Sequence, residues 1–93
     1  DVDSPGESVR VEIRYLSATR DRTGRKNDNV GFRQGATLQD VARWLDRQYG
    51  ISVPGSQVMA TLNGRGWKQS PSGLNTQVRD GDVIALFPPI AGG

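Results

Sequence analysis

Asp80-Gly81-Asp82-Val83-Ile84-Ala85-Leu86-Phe87-Pro88-Pro89-Ile90-Ala91-Gly92-Gly93 ends the sequence, and its reading decides the fold. Asp80-Gly81-Asp82 reads as a turn that delivers the backbone into five consecutive apolar residues, Val83 to Phe87. An unbroken apolar run of this length predicts a central strand covered on more than one side. Pro88-Pro89 ends it, because proline cannot donate to a ladder and favours extended backbone. The residues beyond the strand cannot belong to the sheet, so residues 88–93 are predicted to form an extended tail.

Working back from that strand, the other elements fall into place. Val9, Val11, Ile13 and Tyr15 alternate with Arg10, Glu12 and Arg14, the period of a strand with one face on a core and one in water. Residues 1–8 are polar, contain Pro5-Gly6 and show no periodicity, so they read as a flexible leader. Ala18 to Asn29 is rich in charge and turn formers and reads as the loop of a wide hairpin whose second strand is Val30-Gly31-Phe32-Arg33. Thr37 is placed to cap a helix over residues 38–49, its hydroxyl accepting an orphan amide and Asp40 acting as a shortened capping-box partner. Leu38, Val41, Ala42, Leu45 and Tyr49 form the apolar stripe, and Gly50 is the expected left-handed stop. Val58, Ala60 and Leu62 alternate into the turn dipeptide Asn63-Gly64, which predicts a third strand. Lys68 to Thr76 reads as a surface connection of little regular structure. Strand, strand, helix, strand, strand is the order of an α+β roll, and the expected fold is a β-grasp, a mixed sheet with one main helix packed across it. The domain is expected over residues 9–87.

Composition limits the chemistry. The 93 residues form one domain, and a chain of that size buries only about 60–65% of the surface its unfolded form exposes. A deep enclosed active site is therefore not expected. Lys+Arg total 12 against 10 Asp+Glu, a formal charge of +2, and Lys26 and Lys68 are the only lysines. Without a patch, that balance does not imply nucleic acid. Cysteine and histidine are both absent, which removes disulfides, thiol nucleophiles, imidazole bases and the usual zinc ligands together. No stretch approaches the roughly 18 apolar residues of a membrane span. A soluble, cytoplasmic protein that is not an enzyme is the expectation.

The tail is the exception to this chemical blandness. Six residues after Phe87 reach about 20 Å when extended, enough to enter a partner's active site while the body stays outside. Two prolines stiffen the base and reduce the entropy lost on threading, and two terminal glycines fit a channel that would exclude a Cβ. A terminal Gly-Gly alone arises by chance in roughly 0.5% of chains at average glycine content. Its force comes from the proline base and the apolar strand before it. The terminal carboxylate ionises near pH 3.3–3.7, roughly, and is a poor electrophile until its oxygen is replaced by a better leaving group.

These last fourteen residues resemble the C-terminus of MoaD/ThiS-type sulfur carriers, prokaryotic relatives of ubiquitin. They most resemble the MoaD branch, the small subunit of molybdopterin synthase. The resemblance implies that an adenylating enzyme of the ubiquitin-activating type (MoeB/ThiF-like) uses ATP and magnesium to adenylate Gly93. A sulfur donor then converts the acyl-adenylate to a thiocarboxylate, which delivers sulfur to an acceptor such as a MoaE-like large subunit. It further implies that Pro88, Pro89, Ile90, Ala91 and Gly92 thread into the partner and that Phe87 contributes to docking, ordinary core packing being the equal alternative for Phe87. No bound cofactor and no catalytic residue or metal ligand of the chain's own is implied. The loop from Arg20 to Lys26 departs from the family, being more polar than the short apolar helical turn often found there.

Other features have simpler readings. Arg20, Arg22, Arg25 and Lys26 form a basic cluster, but Asp21 and Asp28 dilute it and no aromatic interleaves it, so a solvated loop is favoured over an RNA or phosphate site. Arg65, Trp67 and Lys68 resemble a small stacking site, with a Trp packed over the hairpin edge as the plainer reading. Asp80-Gly81-Asp82 lacks the remaining ligands of a calcium loop. Asp40 and Asp46 do not share a helix face as a carboxylate pair. The rivals to a molybdopterin-type carrier are a carrier for thiamine, cysteine or tRNA thiolation, a ubiquitin-like modifier of protein lysines, and an inert-tailed β-grasp interaction or RNA-binding module.

Overall fold

The computed structural model describes residues 8–53, 55 and 57–89. Strand β1 (Ser8–Tyr15) opens the domain and is followed by helix α1 (Ala18–Thr23), β2 (Asn27–Arg33), helix α2 (Leu38–Tyr49), β3 (Met59–Leu62), β4 (Arg65–Gly66) and β5 (Val83–Phe87). The sheet order is β2-β1-β5-β3-β4. β5 runs parallel to β1, and the other neighbours are antiparallel. A parallel pair needs a crossover connection, and α2 supplies it by lying across one face. This is the β-grasp arrangement that the element order predicts.

Alternation puts Val9, Val11, Ile13 and Tyr15 of β1 in the core together with Ile84 and Leu86 of β5. Leu38, Val41, Ala42 and Leu45 of α2 close over them. The helix stops at Gly50, whose φ of 69° is left-handed and whose N–H returns 2.8 Å to the Asp46 carbonyl. At its start the Asp40 half of the expected capping box forms, and the Thr37 hydroxyl half departs from expectation. The Asp40 carboxylate accepts the Thr37 N–H at 2.9 Å, but the Thr37 hydroxyl donates to that same carboxylate at 3.3 Å instead of accepting an amide. The Asp40 and Val41 amides bond the Thr37 carbonyl at 3.0 and 3.2 Å, and the Leu38 amide bonds the Thr76 carbonyl at 2.9 Å.

Several expectations are corrected. Ala18 to Asn29 is not a continuous loop. It contains α1, and β2 begins at Asn27 rather than Val30. The strand β1 already includes Ser8, paired with Arg33. A two-residue strand, β4, follows the Asn63-Gly64 turn, whose residues have φ of 52° and 88°. The connection beyond it holds two single 3₁₀ turns, Trp67–Gln69 and Gly73–Asn75. β5 is central in the sheet, but only Ile84 and Leu86 are buried, while Val83, Ala85 and Phe87 are half-exposed. Among the described residues no second layer covers that face, so the run is apolar for a reason other than two-sided burial.

Asp28 explains why β2 can start inside a polar segment. It stands opposite Ile13 on the inner face, where a lone carboxylate is costly unless fully partnered. Tyr15 and Tyr49 each donate a phenol to Asp28 Oδ2, at 2.8 and 2.5 Å, and the Arg25 guanidinium reaches Oδ1 at 2.6 Å. The two rings meet edge to face with centroids 5.6 Å apart. The cluster thus ties the end of β1, the start of β2 and the last turn of α2 into one corner. Burial, then the Asp28 carboxylate, push the Tyr15 phenol above the ordinary tyrosine range.

α1 is fixed by one side chain. Thr19 is its only buried residue, and the hydroxyl lies 2.6 Å from the Leu16 carbonyl and 2.9 Å from the Leu86 carbonyl, its proton shared between them. The Leu16 N–H also reaches the Leu86 carbonyl, at 2.9 Å. Two donors therefore converge on the last inward-facing peptide of β5.

Two measurements check these couplings. Thr19→Val keeps the shape and removes the hydroxyl, and chemical denaturation is expected to show a loss of about 1 kcal/mol. For Tyr15, the unfolded chain ionises near pH 10 while the native state holds its proton to higher pH, so stability falls as pH rises past about 10, by up to about 1.4 kcal/mol per unit. In a Tyr49→Phe variant, where Tyr15 is the only phenol left, the phenolate absorbance should therefore appear together with unfolding and not as a separate step near pH 10.

Candidate functional site

The candidate site is the exit of β5 and the sheet face around it. Phe87 is the last residue of the strand and lies opposite Met59 of β3. The bond from the Asn63 N–H to the Val83 carbonyl, at 2.7 Å, fixes which pairs of the β3–β5 ladder exchange hydrogen bonds. By antiparallel alternation these include Thr61 with Ala85 and Met59 with Phe87. On its other side the Leu86 carbonyl is held by the Leu16 N–H and the Thr19 hydroxyl. The chain is thus clamped from both sides up to Phe87, and Pro88, half-buried, and Pro89, exposed, begin the departure from the sheet. Ile90, Ala91, Gly92 and Gly93 lie outside the described residues.

Pleating sorts the outer face into two halves. On β1 and β2 it presents Arg10, Glu12, Arg14, Asn27, Asn29 and Arg33, a polar surface on which the Arg14 Nε and a Glu12 oxygen are 3.0 Å apart. On β5 and β3 it presents Val83, Ala85, Phe87, Met59 and Thr61. Met59 is 44% exposed, a large apolar side chain left in water. Phe87 is half-exposed and does not join the hydrophobic core. The apolar half ends where Pro88 begins, so patch and tail are continuous.

The remaining candidates separate cleanly. Two members of the basic cluster are structural: Arg22 donates to the Gly50 carbonyl at 2.7 Å, and Arg25 pairs with Asp28. Trp67 is only 3% exposed and packs in the core, so no face is open to a base. Its indole N–H finds no partner among the described residues. Asp80-Gly81-Asp82 is a turn whose carboxylates are already engaged. Asp80 accepts the Arg10 N–H at 2.8 Å, and Asp82 accepts the Arg79 N–H at 2.7 Å and the Asn63 side-chain amide at 3.0 Å. Gly81, with φ of 89°, supplies the left-handed residue. Among the described residues no group of acidic side chains is placed to hold a metal ion, and no helix is long and apolar enough to cross a membrane.

Sequence reasoning missed Thr19 and the apolar half of the outer face. Thr19 is one hydroxyl in a charged segment and carries no periodic signal. The face was legible in part, since Met59, Thr61, Val83, Ala85 and Phe87 emerge from the alternation of β3 and β5 once the run Val83 to Phe87 is given only one buried face.

Known proteins share this arrangement. The model of the ThiS family matches residues 13–93, the tail included. Small archaeal modifier protein 3 of Haloferax volcanii is 30% identical over 93 residues, which span 91% of this chain and 100% of that protein. A Haloferax volcanii protein solved in solution superposes with a TM-score of 0.77 at 29% identity, over 100% of this chain and 94% of that one. A chain from the complex of subunits 1 and 2 of the molybdopterin-converting factor of Helicobacter pylori superposes with a TM-score of 0.62 at 26% identity, over 91% and 100% of the two chains. A clamped central strand, an apolar patch leading to a proline-based tail, and a family match running through Gly93 have one common reading: the chain belongs to the ThiS family of small ubiquitin-like carriers and modifiers, which are not catalytic enzymes.

Proposed function

We propose that this protein carries sulfur as a thiocarboxylate on Gly93 and is the substrate of an adenylating enzyme of the MoeB/ThiF type. The observation that carries this reading is the exit of β5, where the strand is clamped through Leu86 and Phe87 and then passes into Pro88-Pro89 beside an apolar patch. A body held up to Phe87 and a stiff proline base beyond it would lower the entropy lost when a tail is threaded, which supports a substrate role.

The chemistry is supplied by partners. A terminal carboxylate oxygen attacks the α-phosphate of ATP, with magnesium held by the enzyme, and pyrophosphate leaves. The terminal sulfur of a donor persulfide then attacks the acyl carbon and displaces AMP. A thiol of the partner cleaves the resulting acyl disulfide, which leaves the thiocarboxylate on Gly93 and a disulfide on the partner. Met59, Ala85 and Phe87 form the docking face, and Ile90 to Gly92 occupy the channel. The protein works in the cytoplasm, where ATP is available. The acceptor we favour is a molybdopterin precursor on a MoaE-like large subunit. Phe87-Pro88-Pro89 supports it, as does the likeness to the molybdopterin-converting factor complex.

The likeness to a small archaeal modifier protein favours a second use of the same activated terminus. If the ε-amine of a lysine on a target, rather than a persulfide, attacks the acyl group, the product is an isopeptide conjugate. Activation is common to both routes, and only the final nucleophile differs.

Two variants test the proposal in an ATP–pyrophosphate exchange assay with the adenylating enzyme. One residue appended after Gly93 should abolish exchange, and exchange at the normal rate would overturn the reading. Ala85→Glu places a charge on the half-exposed apolar face and should raise KM about tenfold or more with the fold intact, whereas an unchanged KM would remove this face from docking.

A further inference from the structure

The opposite edge of the sheet carries a second surface, independent of the tail. β2 is an edge strand, paired with β1 alone. The Tyr15 N–H bonds the Lys26 carbonyl at 2.9 Å, which fixes the alternation of this antiparallel ladder. Asp28, Val30 and Phe32 turn their backbone groups toward β1, and Asn29, Gly31 and Arg33 turn theirs outward. The Arg33 carbonyl is taken by the Ala36 N–H at 3.0 Å, which leaves a short outward row centred on Gly31. Packing does not demand glycine there. Its φ is not in the left-handed region, and a Cβ added to it would meet nothing within 4 Å. From Asn29 to Arg33 the edge has no lysine, proline or bulge, and the two features that discourage pairing, Lys26 and the inward-facing Asp28, sit at the far end of the strand from the groove.

A groove of about 370 Å³ runs between this edge and α2. Phe32 and Trp44 line it, both half-buried and packed against the core. Arg33, Arg43 and Arg47 surround it. On the helix Arg43, Trp44 and Arg47 come three, four and seven residues after Asp40, so they share one face. Asp40 is the one carboxylate present, and it already takes the Thr37 N–H and lies 3.8 Å from Arg43. Arg33 and Arg47 have no acidic partner among the described residues.

We propose that this groove docks an extended acidic peptide segment of a partner protein, which adds a strand to β2. Its outward-facing backbone groups would pair with those of Asn29 and Gly31, its apolar side chains would lie against Phe32 and Trp44, and its flanking carboxylates would meet Arg33, Arg43 and Arg47. The charge around the groove selects an acidic partner. Single-stranded RNA fits less well, because these two rings pack on the core and do not stand clear as stacking platforms. β1 lies between β2 and β5, and the groove sits toward the Ser8 end while the tail leaves beyond the Tyr15 end. A partner held here leaves the exit of β5 at Pro88 uncovered.

The test is a titration of the ¹⁵N-labelled full chain with a capped eight-residue peptide, four valines flanked by two glutamates on each side. The expected result is shifts centred on the amides of Asn29, Gly31 and Arg33 and on the Trp44 indole, with none at Phe87. The double variant Arg43→Glu, Arg47→Glu should weaken binding about tenfold or more. Gly31→Pro removes the outward N–H at an edge position that tolerates proline and should abolish binding while the rest of the spectrum stays native. The proposal is overturned if a lysine-flanked peptide binds equally well or if neither variant changes the affinity. It is also overturned if the shifts fall on Phe87 and Met59, or if an RNA oligonucleotide moves the groove signals and the peptide does not. Movement of the same amides with protein concentration alone would assign the edge to a second copy of this chain.

Discussion

β5 runs parallel to β1, and a parallel pair cannot be closed by a hairpin. The chain between them must leave the sheet, cross it and return, and everything else in the molecule is arranged around that journey. β2 takes up the free side of β1, α2 makes the crossing and buries one face, and β3 and β4 flank the returning strand. The consequence is that the last segment of the chain becomes the middle of the sheet. β5 draws its order from strands on both sides, so the residues just before the tail are held at both edges. The clamp on the Leu86 carbonyl by Leu16 and Thr19 is the local expression of that constraint.

Placing the final strand at the centre also sorts the outer surface. β5 and β3 put Val83, Ala85, Phe87, Met59 and Thr61 on an uncovered face, while β1 and β2 put arginine, glutamate and asparagine on theirs. Burial explains the inner half of each strand. It does not explain Met59 or Phe87, which cost solvation without adding to the core, and contact with another protein is the natural use for such a patch beside a tail. A domain with neither cysteine nor histidine offers no thiol or imidazole of its own, which agrees with the proposed role as a substrate.

Much of this was legible from residue order. The alternation of β1, the stripe and Gly50 stop of α2, the Asn63-Gly64 turn and the apolar run of β5 each state their element, because local pattern and tertiary role agree there. α1 was not legible. Half of its six residues are charged and they are too few to hold a helix alone, and a single hydroxyl on Thr19 docks it. The start of β2 was hidden because Asp28 looks like loop chemistry until Tyr15, Tyr49 and Arg25 converge on it, and those partners come from three separate parts of the chain. β5 misled in a different way: five apolar residues in a row suggest two buried faces, but here one face is buried and the other is open. For the edge groove, the Arg43-Trp44-Arg47 face could be read from helix spacing, but its meeting with Gly31 and Phe32 could not.

The central claim is that the chain serves as a substrate through Gly93. Intact-mass spectrometry of the protein after incubation with an adenylating enzyme, ATP and a persulfide donor tests it most directly. The account predicts a product in which one oxygen of the terminal carboxylate is exchanged for sulfur, formed only when ATP is present. A mass unchanged under conditions that charge a known ThiS-family carrier would contradict it.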